Sequence, residues 1–96
     1  MFAKVHKHSN GEVLACCDKE LLGKTLQEGE ITFEVRESFY KGFEISEEKL
    51  GELLKEAENA NLVGEKVVRI ALKKGLINEK SIKLIKNVPH VQIYKL

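Results

Sequence analysis

The chain has 96 residues, with 16 lysines or arginines against 15 acidic residues for a formal charge of +1; 43% of it is apolar and 32% charged. That length suits one domain over residues 1–96 with a single modest core. No run approaches the ~20 apolar residues of a membrane span, the N-terminus lacks the apolar stretch of a signal peptide, and adjacent cysteines do not readily bridge, so a soluble cytoplasmic protein with two free thiols is expected.

In chain order, residues 2–8 and 12–17 read as two strands joined by Asn10-Gly11, a dipeptide that tolerates positive φ at both positions. A two-residue loop there sets Ser9 against Glu12, Lys7 against Leu14, Val5 against Cys16 and Lys4 against Cys17. Ala3, Val5, Leu14 and Cys16 then share a core face. Phe2, Lys4, His6, His8, Val13, Ala15 and Cys17 share the other. Asp18 is the only aspartate in the chain. Its short carboxylate suits the N-cap of a brief helix over Lys19 to Leu22, ended by Gly23.

A loop to Gly29 leads to a strand over residues 30–36, with Ile31, Phe33 and Val35 inward. Phe39, Tyr40 and Phe43 cluster around Gly42. Ser46 caps the first main helix, whose stripe is Leu50, Leu53, Leu54 and Ala57. The second helix is expected from about Leu62 to Lys74, with Asn61 as its cap and Gly75 at its left-handed C-terminal residue. A short strand over 82–86 and a last strand from Val91 follow, separated by Pro89. Two adjacent helices among these strands argue for an α+β two-layer sandwich, the helices on one face of a mostly antiparallel sheet.

Charge is unevenly spread. Residues 1–64 hold 8 basic and 13 acidic side chains, while residues 65–96 hold 8 basic and 2 acidic. Lys66, Arg69 and Lys73 recur on one side of the second helix, with Lys74, Lys83 and Lys86 further along. Such a basic third can track a phosphate backbone, although a solvated helix face accounts for the same residues.

The chemistry-bearing residues are few. Cys17, set beside Lys4 and His6, could be an activated nucleophile or a redox-sensitive thiol, or simply a small buried apolar group. His6, His8, Cys16, Cys17 and His90 match no zinc-ligand spacing, so no metal site is expected. His90 and Gln92 project from one side of a strand stiffened by Pro89 and form a plausible contact pair. No phosphate loop, paired catalytic carboxylates or nucleophile elbow is present, and no cofactor is implied.

Several segments together resemble a known family. They are Val13-Leu14-Ala15-Cys16-Cys17-Asp18 with Glu20-Leu21-Leu22-Gly23-Lys24, Phe39-Tyr40-x-Gly42, Ala60-Asn61-Leu62-Val63-Gly64-Glu65, and Val88-Pro89-His90-Val91-Gln92. Across essentially the whole chain they are similar to a small archaeal family described as domain of unknown function four-two-four. The resemblance implies a stand-alone cytoplasmic archaeal protein with a two-layer α/β fold and a genomic setting near translation initiation factors. It supplies no activity. The family's polar motif positions fall on Cys17, Asp18, Asn61, Gly64, His90 and Gln92.

The reading that follows is a non-enzymatic module binding RNA or a ribonucleoprotein, such as the ribosome or a translation factor. Its basic third would meet phosphates, and Asp18, Asn61, Gly64, His90 and Gln92 would contact the partner. The alternative is a small enzyme or redox-sensitive protein using Cys17 with His90 or His6. Monomer and homodimer both fit the sequence.

Overall fold

The computed structural model describes residues 1–9 and 11–95. Six strands form the main sheet: β1 (Phe2–His8), β2 (Gly11–Cys17), β5 (Phe43–Glu44), β6 (Asn59–Val63), β7 (Lys83–Ile85) and β8 (Val88–Tyr94), in the order β5-β1-β2-β6-β8-β7. Only the β2–β6 pairing is parallel; the other four are antiparallel. The main helices, α2 (Glu47–Glu56) and α3 (Glu65–Lys73), pack on one face. The opposite face carries a separate hairpin of β3 (Thr25–Glu28) and β4 (Ile31–Glu34), and one turn of helix, α1 (Glu37–Tyr40). The α+β class and the antiparallel bias match expectation. Among the described residues no helix is long and apolar enough to cross a membrane.

Strand alternation makes two cores. Ala3, Leu14, Cys16, Leu62 and Val91 point toward the helices and meet Leu50, Leu54, Val67 and Ile70. Phe2, Ala15, Cys17 and Val63 point the other way and meet Leu26, Val35 and Tyr40. The β1–β2 faces are therefore as expected, except that Val5, on the helix side, is 39% exposed instead of core; the register is not as expected. Lys4 pairs with Ala15, Val5 with Leu14 and Phe2 with Cys17. His8 pairs with Gly11, and Asn10 of the expected Asn-Gly turn lies outside the described residues. A slip of two residues leaves every side chain on its face. It also levels Phe2 with Cys17 and Ala3 with Cys16, burying all four, and releases Asp18 from the ladder.

Local signals set α2 as expected. The Ser46 hydroxyl accepts from the Lys49 amide at 3.2 Å, and Leu50 and Leu54 are buried. Four expectations are corrected. The loop before Gly29 contains β3, paired to β4. Ile31 is 55% exposed, because only the Phe33 and Val35 end of its strand reaches the sheet. Residues 59–63 form a central strand instead of the start of a helix, sending Ala60 and Leu62 to one core and Val63 to the other. Finally, Pro89 lies inside β8; the β7–β8 turn is Lys86-Asn87, with φ of 54° and 65°, as a two-residue primed turn requires.

Candidate functional site

Cross-strand pairing lays out the hairpin-side face of the sheet in rows. Phe2, Cys17, Val63, His90 and Lys83 make one row; Lys4, Ala15, Asn61 and Gln92 the next; His6, Val13, Asn59 and Tyr94 the third. The β3–β4 hairpin and α1 cover the apolar start of the first row. The polar remainder stays accessible.

At the border of covered and open sheet, the Tyr40 hydroxyl donates to Asn61 Oδ1 at 2.7 Å, and His90 Nε2 lies 3.2 Å from the same oxygen. A carboxamide oxygen only accepts, so with Asn61 Oδ1 in this position His90 Nε2 is the donor of the pair. Burial, reinforced by the Lys83 ammonium, holds the His90 pKa below the ordinary histidine value and keeps the ring neutral. The Phe33 ring leans on it, centroids 4.6 Å apart. Burial raises the Tyr40 pKa, so its hydroxyl stays a donor.

Beside this trio, His6 stacks on Phe39 at 4.5 Å and donates from Nε2 to the Phe39 carbonyl at 2.8 Å. The Lys4 ammonium donates to the Ser38 carbonyl. Two cavities adjoin at Phe33. One, of about 310 Å³, is lined by Arg36, Phe39, Tyr40 and Asn61. The other, of about 810 Å³, is lined by Ile31, Lys83, His90, Gln92 and Tyr94. Asn61, His90 and Gln92 are thus gathered at one place; the sequence put His90 and Gln92 on one side of a strand but set Asn61 at a helix cap. Tyr40 and Phe33 were missed. Tyr40 stood in the Phe39-Tyr40-x-Gly42 segment, and the need of a buried tyrosine for a hydroxyl partner is a second signal that could have pointed to it.

Cys17 does not belong to this site. It is fully buried between Phe2, Ala15 and Val63, with Lys4 and His6 both engaged on α1. Burial, then the Asp18 carboxylate, pushes its pKa up to about 11, which agrees with the small buried apolar group and not with an activated nucleophile. The neighbours named from sequence followed from the slipped register. His90 shares the row of Cys17 but stands two strands away with Val63 between, about 10 Å across the sheet. His6 is two rows off. Neither can serve Cys17 as a base, and the candidate catalytic set of Cys17, His90 and His6 is not assembled.

Asp18 and Gly64 form a different device. Asp18 precedes a 3-10 turn over Lys19–Leu21 but makes no side-chain bond to it. Its carboxylate instead accepts from the Lys66 and Val67 amides, both at 3.0 Å, at the second and third positions of α3. The N-cap residue itself is Gly64, at φ 121°, and a Cβ there would collide with the Asp18 carboxyl group. One strand therefore supplies the cap for a helix 48 residues on. A glutamate is one methylene too long for that pocket.

The basic residues divide. Lys66, Arg69 and Lys73 are exposed along α3, on the helical layer, away from Asn61. Lys74 lies over Gly51 of α2. Lys86 sits at the β7–β8 turn, where its amide donates to Glu28. Of these predicted basic residues only Lys83 faces the site, where Arg36 also lines the smaller cavity. Among the described residues, no three His, Cys, Asp or Glu side chains converge as metal ligands.

Fold and site together define a small α+β protein with a polar, aromatic-walled groove on the open half of a six-stranded sheet. It belongs to the family described as "Protein of unknown function (DUF424)", whose model matches residues 5–96. The chain is also similar to a solved structure titled "Crystal structure of an uncharacterized conserved protein from Methanopyrus kandleri", with 32% identity, a TM-score of 0.82, and 99% of this chain and 90% of that one covered. No curated protein matches.

Proposed function

We propose that this protein is a non-enzymatic module that binds single-stranded RNA, free or within a ribonucleoprotein, and acts in translation in an archaeal cytoplasm. The observation that carries this is the groove on the sheet. Fixed hydrogen-bonding side chains, Asn61, His90 and Gln92, stand between aromatic walls, Phe33, Phe39 and Tyr94, with a lysine at the edge. Unpaired bases are recognised by such combinations: rings for stacking, polar groups for base edges and cations for the backbone. The family resemblance and the Methanopyrus kandleri relative support the archaeal setting.

On this reading Lys83 supplies the nearest phosphate contact, and the α3 ridge contributes long-range attraction only. Fluorescence anisotropy with a labelled mixed-sequence RNA of about ten nucleotides, at about 50 and about 200 mM salt, tests it. With one direct phosphate contact, affinity should fall about threefold between the two salt concentrations. Asn61→Ala or Lys83→Glu should weaken it about tenfold, and a Lys66→Glu/Arg69→Glu/Lys73→Glu variant by about half that or less. The opposite ranking would move the interface to the helices. No binding at either salt would end the proposal.

A further inference from the structure

We propose that the outer edge of β1 receives an extended segment of a basic partner protein, which adds a strand there and sets an apolar side chain in the cavity under the end of α2. This site lies on the helix side of the sheet and is independent of the RNA groove. β5 pairs with β1 at Phe2 and Ala3 only. The Ile45 amide donates to the Met1 carbonyl at 3.0 Å, so the odd residues of β1 turn their N–H and C=O groups to this edge. The return from α1 closes on Ala3 and Lys4 at Gly42, where a Cβ would strike the Ala3 carbonyl, and β5 then runs away from Val5. Past that point the edge groups belong to Val5 and Lys7. Among the described residues no backbone hydrogen bond reaches them from that side.

Sheet edges are ordinarily blunted by charge or proline. Lys7 does this at its own position, but Val5 is 39% exposed and walls a cavity of about 390 Å³ with Leu14, Leu53 and Ala57. A strand laid against β1 puts one side chain beside Val5 on that same face, and an apolar one suits these walls.

The rest of the lining decides the partner. Glu12, Glu56 and Glu58 are exposed there, and among the described residues none of them is in an ion pair. No basic residue lines the cavity. Lys7 faces Glu12 across the hairpin, and the Lys95 ammonium is engaged by the Leu54 and Lys55 carbonyls at the end of α2. Carboxylates repel a phosphate backbone, so this site does not take RNA. They favour a peptide whose apolar residue has arginine or lysine two positions away, on the same side of the added strand.

The probe is a labelled peptide of about seven residues with a central valine, a threonine on each side of it and arginines beyond, so that valine and both arginines share a face in either strand direction. It is titrated to about 1 mM into isotopically labelled protein while the backbone amide signals are recorded. The Val5 and Lys7 amides should shift and exchange more slowly, and those of Asn61 and His90 should stay in place. Methylating the three central amide nitrogens of the peptide keeps every side chain but removes the strand donors, and should weaken binding about tenfold. A Glu56→Gln/Glu58→Gln protein, changed at two exposed positions, should bind the parent peptide about fivefold more weakly. Unchanged affinity for the methylated peptide overturns strand addition. Unchanged affinity in the double variant overturns the basic partner, and no shift at Val5 and Lys7 overturns the site. If the protein alone sediments as a dimer with both amides already slow to exchange, a second copy occupies the edge and the proposal falls.

Discussion

On its helix side the main sheet presents Ala3, Leu14, Cys16, Ala60, Leu62, Val91 and Ile93, and two amphipathic helices seal them. On its other side the same strands present Cys17, Val63, Lys4, Asn61, His90 and Gln92, under a short hairpin and one helical turn that reach only part of the way. The first face gains its free energy from burying apolar area and opens only at one end, where Val5, Leu14, Leu53 and Ala57 line a cavity of about 390 Å³. The second stops burying at Tyr40 and Phe33, and its polar groups begin there. Sealed apolar burial and open polar groups thus fall on opposite surfaces of one sheet, one residue apart along each strand.

The junction of α3 with β2 is the sharpest place to break this division. Gly64→Ala would bring a Cβ onto the Asp18 carboxyl group at a φ that L-residues resist, and should cost about 4 kcal/mol in denaturant unfolding. Asp18→Ala alone should cost about 2 kcal/mol, the worth of a cap whose loss leaves two helix amides without a partner. The double variant should cost less than the sum, since removing the carboxylate removes the collision. Strict additivity would mean that Gly64 is required for its backbone alone.

Next in size, Leu54→Ala under α2 should lose about 3 kcal/mol, because the residue is fully enclosed and its cavity cannot collapse. Phe33→Ala, half-exposed on the hairpin, should lose about 1 kcal/mol and yet weaken RNA binding more than Leu54→Ala does. Equal losses of stability would make the hairpin part of the structural core. Between these lies Cys17→Ser, which puts a hydroxyl into an apolar enclosure and should cost about 2 kcal/mol. Native Cys16 and Cys17 should both resist thiol reagents at the rate of unfolding, and the serine variant should bind RNA as the parent does. Rapid labelling of one thiol in native protein would restore Cys17 as a reactive centre.

Local chemistry was readable from the chain, and partnerships between distant segments were not. Ser46 with Leu50 and Leu54 announced α2, because cap and stripe lie within one helix. The faces of β1 and β2 were readable too, since alternation survives a slip of two. Asp18 was recognised as a capping aspartate and assigned to the wrong helix: its true partners, the Lys66 and Val67 amides, are brought by the parallel pairing of β2 with β6. Asn61 was singled out as a helix cap and proved to be a strand residue. Asparagine disfavours strands, and only burial of Ala60, Leu62 and Val63 from both sides overrides that preference. His90 and Gln92 were paired correctly, but the tyrosine that orients Asn61 comes from a turn 21 residues earlier.

The smallest effect concerns pH. The folded protein lowers the His90 pKa through burial and Lys83, while the unfolded chain returns it to about 6.5. Below that value the unfolded state binds the proton first, so acid favours unfolding. The stabilisation is therefore complete above pH of about 6.5 and is lost as pH falls toward the depressed folded value. His90→Gln keeps a donor for Asn61 Oδ1 and has nothing to titrate. The unfolding midpoint of the parent should thus fall more steeply than that of the variant between pH of about 6.5 and about 5, with parallel curves above. Parallel curves throughout would mean that the imidazolium is accommodated on the open side of the groove. The boundary between buried and ligand-facing surface would then run inside Phe33, leaving His90 with the solvent.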